Sequence, residues 1–238
     1  MAKGKRKKTS KAGKILWWIA FLAAVAVFLG AGYQLISTLG EYRAAQKEYE
    51  KLEDYVTLPQ EAEEVQSVQE NESQEPEGPV IDFEALKAVN EDVVGWIYVE
   101  ALDLNYPIMR GEDNEYYLHR TTEKTYNFAG SIFLDYANKA DFSDCNSIVY
   151  GHNMKDGSMF GRLKQFRERE TYEKSLYFWV CTPEKNYRYQ IFSAYETAVG
   201  SDTYLLFEKT GKEFVNYMQE MKKLTEIPTA DRDFTQED

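Results

Sequence analysis

The chain has 238 residues, of which 43% are hydrophobic and 29% are charged, and its formal net charge is −12. Seven of its lysines and arginines lie in residues 1–14, so the rest of the chain has 21 basic and 40 acidic side chains. Neutralising nucleic-acid phosphates requires clustered Lys and Arg, which excludes a nucleic-acid-binding role for that part. The length is that of one ordinary domain with attachments.

An uncharged segment follows the basic residues 1–14. Residues 15–36, ILWWIAFLAAVAVFLGAGYQLI, are 22 mostly apolar positions, enough at about 1.5 Å per residue to cross a hydrocarbon core of roughly 30 Å. The run exceeds the apolar part of a cleaved signal peptide, and no convincing cleavage site follows it. We therefore predict a cytoplasmic tail at 1–14 and a single-pass transmembrane anchor at 15–37, with everything after it outside the cell.

Two further segments precede the folded domain. Residues 38–57 place Tyr42, Ala45, Tyr49 and Leu52 at spacings of three and four, which predicts a short amphipathic juxtamembrane helix. Residues 58–79 are rich in glutamate and contain almost no large apolar side chain, the composition of a solvated acidic linker. The folded domain is expected at 80–238.

The pattern from residue 80 onward is rich in strands. A short helix is predicted over 82–90 with Asp82 as its N-cap. Pro107 argues that its strand lies at an edge or ends irregularly, and Thr210 and Glu213 form a T-x-x-E capping box for a later helix. Strands are predicted over 93–100, 102–109, 130–136, 146–151, 175–182 and 187–199, the last two joined as a hairpin by the turn PEKN, and helices over 158–166 and 210–224.

These elements show no β-α-β alternation. They therefore predict a mainly β fold, a mostly antiparallel sheet or barrel with helices packed outside it. The many tyrosines and phenylalanines suit cross-strand pairing in such a sheet.

One histidine is a candidate for catalysis. The predicted strand NSIVYG ends at Gly151, His152 comes next, and a polar loop follows. A histidine at a strand end, beside a glycine that permits close approach, lies where chemistry is often done. A histidine that only supports the loop remains an alternative from this stretch alone.

A histidine that moves protons needs a nucleophile within reach. Cys145 precedes His152 by seven residues, which in an extended strand at about 3.3 Å each gives roughly 20 Å. Cys181 could approach His152 only through tertiary contact. We interpret both cysteines as buried side chains or halves of one disulfide, and two free thiols remain possible.

The spacing of histidines and cysteines does not indicate a metal site. His119 and His152 are the two histidines of the chain, 33 residues apart, and no H-x-x-x-H or C-x-x-C spacing occurs. We therefore predict that no metal is bound.

Four stretches, in order, resemble the class B sortases, the membrane-anchored cysteine transpeptidases of Gram-positive bacteria. They are NEDVVGWIYVEALDLNYPIMRGEDNEYYLHR, GSIFLDYAN, NSIVYGHNMKDGSMFGRLKQF and YRYQIFSAYE. The resemblance implies a sortase-like β-barrel with peripheral helices, and it makes His152 of the Y-G-H-N-M string the catalytic histidine. It implies no cofactor.

The resemblance also implies a nucleophilic cysteine on a later strand reading about T-L-S-T-C, and an essential arginine one strand further on. Neither motif occurs in this sequence. Neither Cys145 nor Cys181 occupies the family position, and Arg232 precedes it, so none of the three receives a catalytic role. We expect a chain truncated at its C-terminus before that cysteine, missing the last two strands, inactive alone, and marginally stable or aggregation-prone.

The expected function is that of a sortase B-like transpeptidase. It cleaves a C-terminal sorting signal resembling N-P-x-T on secreted proteins and transfers the new acyl end to the amine of a peptidoglycan precursor. The first alternative is a non-catalytic extracellular binding module derived from a sortase fold. The second is a thiol hydrolase built from Cys181 and His152.

Overall fold

The structure is a computed structural model that describes residues 11–59, 78–227, 229 and 233–235. Residues 1–10 of the predicted basic tail, residues 60–77 of the predicted acidic linker, and Arg232 lie outside the described residues. The chain divides into two compact units, Met1–Ala44 and Ala45–Asp238.

Helix α1, Lys11–Leu52, begins in the first unit and ends in the second. It continues without a break through the predicted boundary between anchor and juxtamembrane helix. Within the described ranges, one helix is long and apolar enough to cross a membrane. Its apolar side chains between Ile15 and Ile36 are largely exposed.

The second unit contains the sheet and the shorter helices. The helices are α2 (Phe83–Val89), α3 (Arg169–Lys174) and α4 (Lys212–Lys223), and short 3-10 helices include Tyr117–His119 and Phe160–Arg167. The strands are β1 (Val56–Thr57), β2 (Val80–Ile81), β3 (Val93–Val99), β4 (Leu104–Met109), β5 (Ile132–Leu134), β6 (Val149–Tyr150), β7 (Tyr177–Cys181) and β8 (Asn186–Gln190).

Six strands form one curled sheet in the order β6-β5-β4-β3-β7-β8, and β1 pairs with β2 separately. All neighbours in the six-stranded sheet are antiparallel except β4 and β5, which run parallel. The predicted mostly antiparallel sheet with outer helices is therefore confirmed. So is the hairpin, in which Cys181 pairs with Asn186 across the PEKN turn.

The core lies between this sheet and its covering segments. The largest side chains with under 2% exposure come mainly from strands β3 to β5, with others from α2, the Tyr117–His119 turn and the loop after β6: Trp96, Tyr117, Leu86, Leu104, Ile108, Met109, Ile132, Leu134 and Met159. Trp96 also donates its indole N–H to the Asn105 amide oxygen at 2.5 Å, which satisfies a polar atom that burial would otherwise penalise.

Two local predictions are wrong, and one is confirmed in only one of its two forms. The strand with Pro107 is interior rather than at an edge, and its pairing with β5 begins only at Ile108. Its end is irregular, because its register against β3 shifts between Ile108 and Met109. The last strand ends at Gln190, because β7, its only partner among the described residues, begins at Tyr177. The T-x-x-E capping box does not form either: Gly211 is the N-cap of α4, without a side-chain cap.

Candidate active site

Strand β6 delivers His152 to its place. Tyr150 pairs with Phe133 of β5, and His152 follows two residues later. A β-carbon at Gly151 would collide with the side chains of Ile132 and Phe160. Gly151 therefore allows two of the protein's own apolar side chains to pack closely against the backbone just before His152.

The loop after His152 folds back onto it. The His152 carbonyl accepts hydrogen bonds from the backbone N–H of Met154 (3.1 Å) and of Phe160 (3.0 Å). The Met159 N–H, in a residue with φ +51°, donates to the Tyr106 hydroxyl at 3.2 Å. These bonds tie the histidine backbone to the following turn and to β4, so the ring projects from a rigid frame.

The His152 imidazole packs against two other rings. Its centroid lies 5.6 Å from that of His119, at an interplanar angle of 37°, and 5.7 Å from that of Phe128. Burial lowers the pKa of His152, and positive charge on His119 lowers it further, while contact with the Ala129 backbone opposes both effects. A histidine in this environment is neutral at pH 7 and can accept a proton.

His119 is a residue of this site that sequence reasoning missed. It ends the 3-10 helix Tyr117–His119, in a segment remote in sequence from β6. Its Nδ1 and that of His152 are both buried and have no hydrogen-bond partner among the described residues. The sequence held no spacing signal for this pair, because tertiary folding alone brings the two segments together.

The segment between His119 and β5 forms a braced loop. The His119 carbonyl accepts from the Asn127 N–H at 3.0 Å, and the Tyr117 carbonyl accepts from the Ser131 N–H at 3.0 Å. Gly130 adopts φ +59°, and a β-carbon there would collide with the Leu118 carbonyl. This loop presents Phe128 and Ala129 to His152.

The end of α1 supports the same loop. The Tyr49 hydroxyl, from the part of α1 that belongs to the second unit, donates to the Gly130 carbonyl at 2.7 Å and lies 3.2 Å from the Ser131 hydroxyl. The Tyr49 ring also packs edge-on against Tyr106 at 5.3 Å. Tyr49 therefore bonds to the loop that faces His152, and Tyr106 bonds to the turn that follows His152.

Both cysteines are free. Cys181 has no exposed surface, its thiol points to the Pro79 carbonyl at 3.7 Å, and burial raises its pKa to about 12. Strand β7 lies four strand spacings from β6, roughly 19 Å along the sheet. Cys145 is half-buried in the β5–β6 connection, and the rings found against His152 belong to His119 and Phe128. The structure therefore does not support a Cys181–His152 pair.

No group of three or more His, Cys, Asp or Glu side chains converges in the described part of the chain in a way that could hold a metal ion. At the site, the ring of Phe128 contacts both imidazoles, and the ring of Tyr126 contacts that of His119.

Comparison with known proteins assigns the family. A sequence profile of the Sortase domain matches residues 97–222, more than half of the chain. Sortase B of Staphylococcus aureus is 30% identical over 210 residues, which cover 88% of this chain and 81% of that protein. The chain therefore belongs to the sortase family. Its relatives are class B enzymes, so the resemblance seen in the sequence is confirmed at the level of the class.

Two further comparisons agree. Sortase B of Listeria monocytogenes is 39% identical over 141 residues, which span 58% of this chain and just over half, 56%, of that protein. The solved Staphylococcus aureus sortase B–substrate complex superposes with a TM-score of 0.67 at 29% identity, covering 83% of this chain and 85% of that one. The predicted sortase-like sheet with outer helices is confirmed by this likeness.

Proposed function

We propose that this protein is a class B sortase in which His152 moves protons while a secreted protein is attached to the cell wall. The supporting observation is the placement of the Y-G-H-N-M histidine. It lies at the end of β6, on a fixed backbone, in surroundings that favour its neutral form. As proposed, a thiolate attacks a backbone carbonyl of the sorting signal, and the peptide bond to the leaving amine breaks.

The neutral imidazole suits both halves of this reaction. It takes the proton of the attacking thiol as a general base, and it then gives that proton to the departing amine as a general acid. In the second half, an incoming amine attacks the acyl-enzyme carbonyl and the C–S bond breaks, while the imidazole takes the proton of the amine and returns it to the departing thiolate.

The nucleophile is not assigned to either cysteine of residues 1–238. Cys181 is buried and protonated, and Cys145 is not at the family position. The family's T-L-S-T-C-like string and its following arginine do not occur in the sequence. We expect the 238-residue chain by itself to form no acyl-enzyme.

The proposed partners are secreted proteins with a C-terminal sorting signal of the N-P-x-T type, and a peptidoglycan precursor that supplies the amine. The solved Staphylococcus aureus neighbour is itself a complex with substrate, which supports a peptide substrate here. The proposed location is the cell membrane, with the N-terminus in the cytoplasm and the sheet unit outside. The apolar α1 preceded by basic residues supports that orientation.

The test adds a nucleophile of the family type to the chain. The full chain in detergent micelles is given a fluorogenic N-P-x-T peptide with hydroxylamine as the acceptor, and no turnover is expected. The C-terminal strands of the Staphylococcus aureus relative, with their cysteine and arginine, are then fused after residue 238. We expect amine-dependent cleavage that His152→Ala lowers by about 10²-fold or more, while Cys145→Ser leaves it unchanged.

Two results would contradict the proposal. Peptide exchange by the unfused chain would place the nucleophile within residues 1–238. A folded fusion protein that binds the peptide but never cleaves it would favour the non-catalytic binding module instead.

A further inference from the structure

The two histidines of this chain meet although they lie on different elements. His119 ends a 3-10 helix and His152 follows β6, yet their ring centroids are 5.6 Å apart. Phe128 contacts both rings, at 6.4 Å from His119 and 5.7 Å from His152. The three side chains form one cluster, called here the ring cluster.

Hydrogen bonding does not orient the reacting imidazole through Nδ1. Histidines that move protons or bind metals commonly donate one ring N–H to a carbonyl or carboxylate, which fixes the tautomer and the ring. The Nδ1 of His152 is buried without a hydrogen-bond partner among the described residues. The ring is instead held by its interaction with the Ala129 backbone and by packing in the ring cluster, where His119 is the ionisable neighbour of His152.

The two imidazole rings interact electrostatically as well as through packing. Two imidazolium ions in a half-buried site repel each other, so a proton on one ring opposes a proton on the other. The ionisable groups on the surrounding segments have other partners. Arg120 lies over the Tyr116 ring; Asp135 accepts from Tyr150 and Asn114; Asp156 accepts from Ser158; Lys124 pairs with Asp92. Tyr126 packs against the His119 ring.

We propose that His119 is a positioning residue for His152, holding its ring in place and keeping it in the neutral form that accepts a proton. This inference deepens the proposed function and rests on it, because the neutral form matters only where His152 is the proton-transfer group. No contact between His119 and the substrate is required. The effect passes entirely through the neighbouring ring.

The experiment follows the two imidazoles directly. The full chain in detergent micelles, labelled with [13Cε1]-histidine, gives two signals, since the chain has two histidines. His119→Phe keeps a ring against His152 and removes the charge, and it assigns the remaining signal. We expect the titration midpoint of His152 to shift upward in His119→Phe and in His119→Gln. Tyr126→Phe, which changes a neighbour of His119 alone, should leave the midpoint where it was.

An unchanged or lowered His152 midpoint in folded His119→Phe would overturn the proposal. The unsubstituted chain offers a second measurement in case both variants fail to fold. Coupled rings take up their two protons in linked steps, so each signal responds at both midpoints. Two independent single-step curves would refute the coupling.

Turnover distinguishes this inference from the proposed function. In the fusion protein that carries the nucleophile, His119→Phe should move the acid limb of the pH–rate profile to higher pH, because His152 then stays protonated further up the scale. Absence of all turnover would contradict the proposed function but leave the histidine titrations interpretable. Normal turnover with an unmoved acid limb would contradict the role of His119 alone.

Discussion

Cys181 illustrates how burial decides whether a thiol can react. Its side chain has no exposed surface, and its pKa is raised to about 12 by burial. The thiolate is the nucleophilic form, and at pH 8 a thiol with that pKa is ionised in about one molecule in ten thousand. Cys145, in contrast, is half-buried in a loop. The two thiols should therefore differ sharply towards alkylating reagents.

We predict that iodoacetamide at pH 8 labels Cys145 in the folded chain and leaves Cys181 unlabelled. Mass spectrometry of the digested protein measures the two sites separately. Both should react once the protein is denatured, which shows that the protection comes from the fold. Rapid labelling of native Cys181 that His152→Ala abolished would instead support the thiol hydrolase.

At the residue scale, the sequence was informative where a signal is local. His152 could be singled out because a strand, a glycine and a polar loop adjoin it. Asp82 could be predicted as an N-cap, and the structure confirms this, since its carboxylate accepts a hydrogen bond from the Ala85 N–H at 2.9 Å. His119 could not be placed, because its partner is 33 residues away and nothing in the spacing fixes their contact. The predicted N-cap of α4 was wrong by one residue, since Gly211 rather than Thr210 is the N-cap.

At the element scale, the end of α1 is part of the sheet unit. Ala45, Tyr49 and Leu52 are at most 5% exposed, and all three were placed on one face by their spacing. Strand β1 continues this segment by pairing with β2, and the Asp82 N–H donates to the Tyr55 carbonyl at 2.9 Å. The end of α1 therefore supports the loop that faces His152 and also stabilises the sheet unit.

Removing one hydroxyl tests that contribution. Tyr49→Phe deletes the donor to the buried Gly130 carbonyl while keeping the ring, and an unsatisfied buried acceptor costs about 1–3 kcal/mol. We predict a loss of unfolding free energy of about 1–2 kcal/mol by chemical denaturation. Tyr136→Phe, at a side chain that is 51% exposed, is the matched control and should be near neutral. Equal effects of both substitutions would contradict the role assigned to the Tyr49 hydroxyl.

Glu48 should make stability depend on pH. It is 9% exposed, its carboxylate accepts from the Glu123 N–H at 2.8 Å, and burial raises its pKa. A carboxyl with a raised folded-state pKa binds its proton more tightly in the folded protein, so its ionisation destabilises the fold as pH rises through that pKa.

We therefore expect Glu48→Gln to gain stability over the unsubstituted chain at pH 7, and this gain to shrink as pH falls towards 4.5. Denaturation midpoints measured across that range provide the check. Glu50→Gln, on the exposed face of the same helix, should show no such trend. A gain that grew on acidification would have the wrong sign for a raised pKa.

At the scale of the whole molecule, the alternation of apolar residues and the turn PEKN were enough to predict the sheet class and the β7–β8 hairpin. They could not predict the parallel pairing of β4 with β5 or the interior position of Pro107, because both depend on which strands become neighbours. The strand order places β6 and β8 at the two edges of the sheet in the described part of the chain. Edge strands of a sheet favour association between molecules.

The start of the stable unit follows from the same architecture. The compact unit begins at Ala45, whereas the sequence placed the folded domain at 80–238. A fragment starting at residue 80 loses the buried side chains of Ala45, Tyr49 and Leu52 and the pairing partner of β2. Burial of the larger two of these side chains, Tyr49 and Leu52, stabilises the fold by roughly 1.5–3 kcal/mol each.

We predict that residues 45–238 melt at a higher temperature than residues 80–238, and that the shorter fragment is the more aggregation-prone of the two. A fragment of residues 53–238 keeps β1 and lacks the helix end, so it separates the two contributions and should have an intermediate melting temperature. Calorimetry with light scattering gives both quantities. The prediction is contradicted if residues 80–238 stay monomeric and melt cooperatively at the same temperature as residues 45–238. The sheet would then need neither the end of α1 nor β1 for its stability. In that case the hydrogen bond from Tyr49 to Gly130 would have no part in holding the loop against His152.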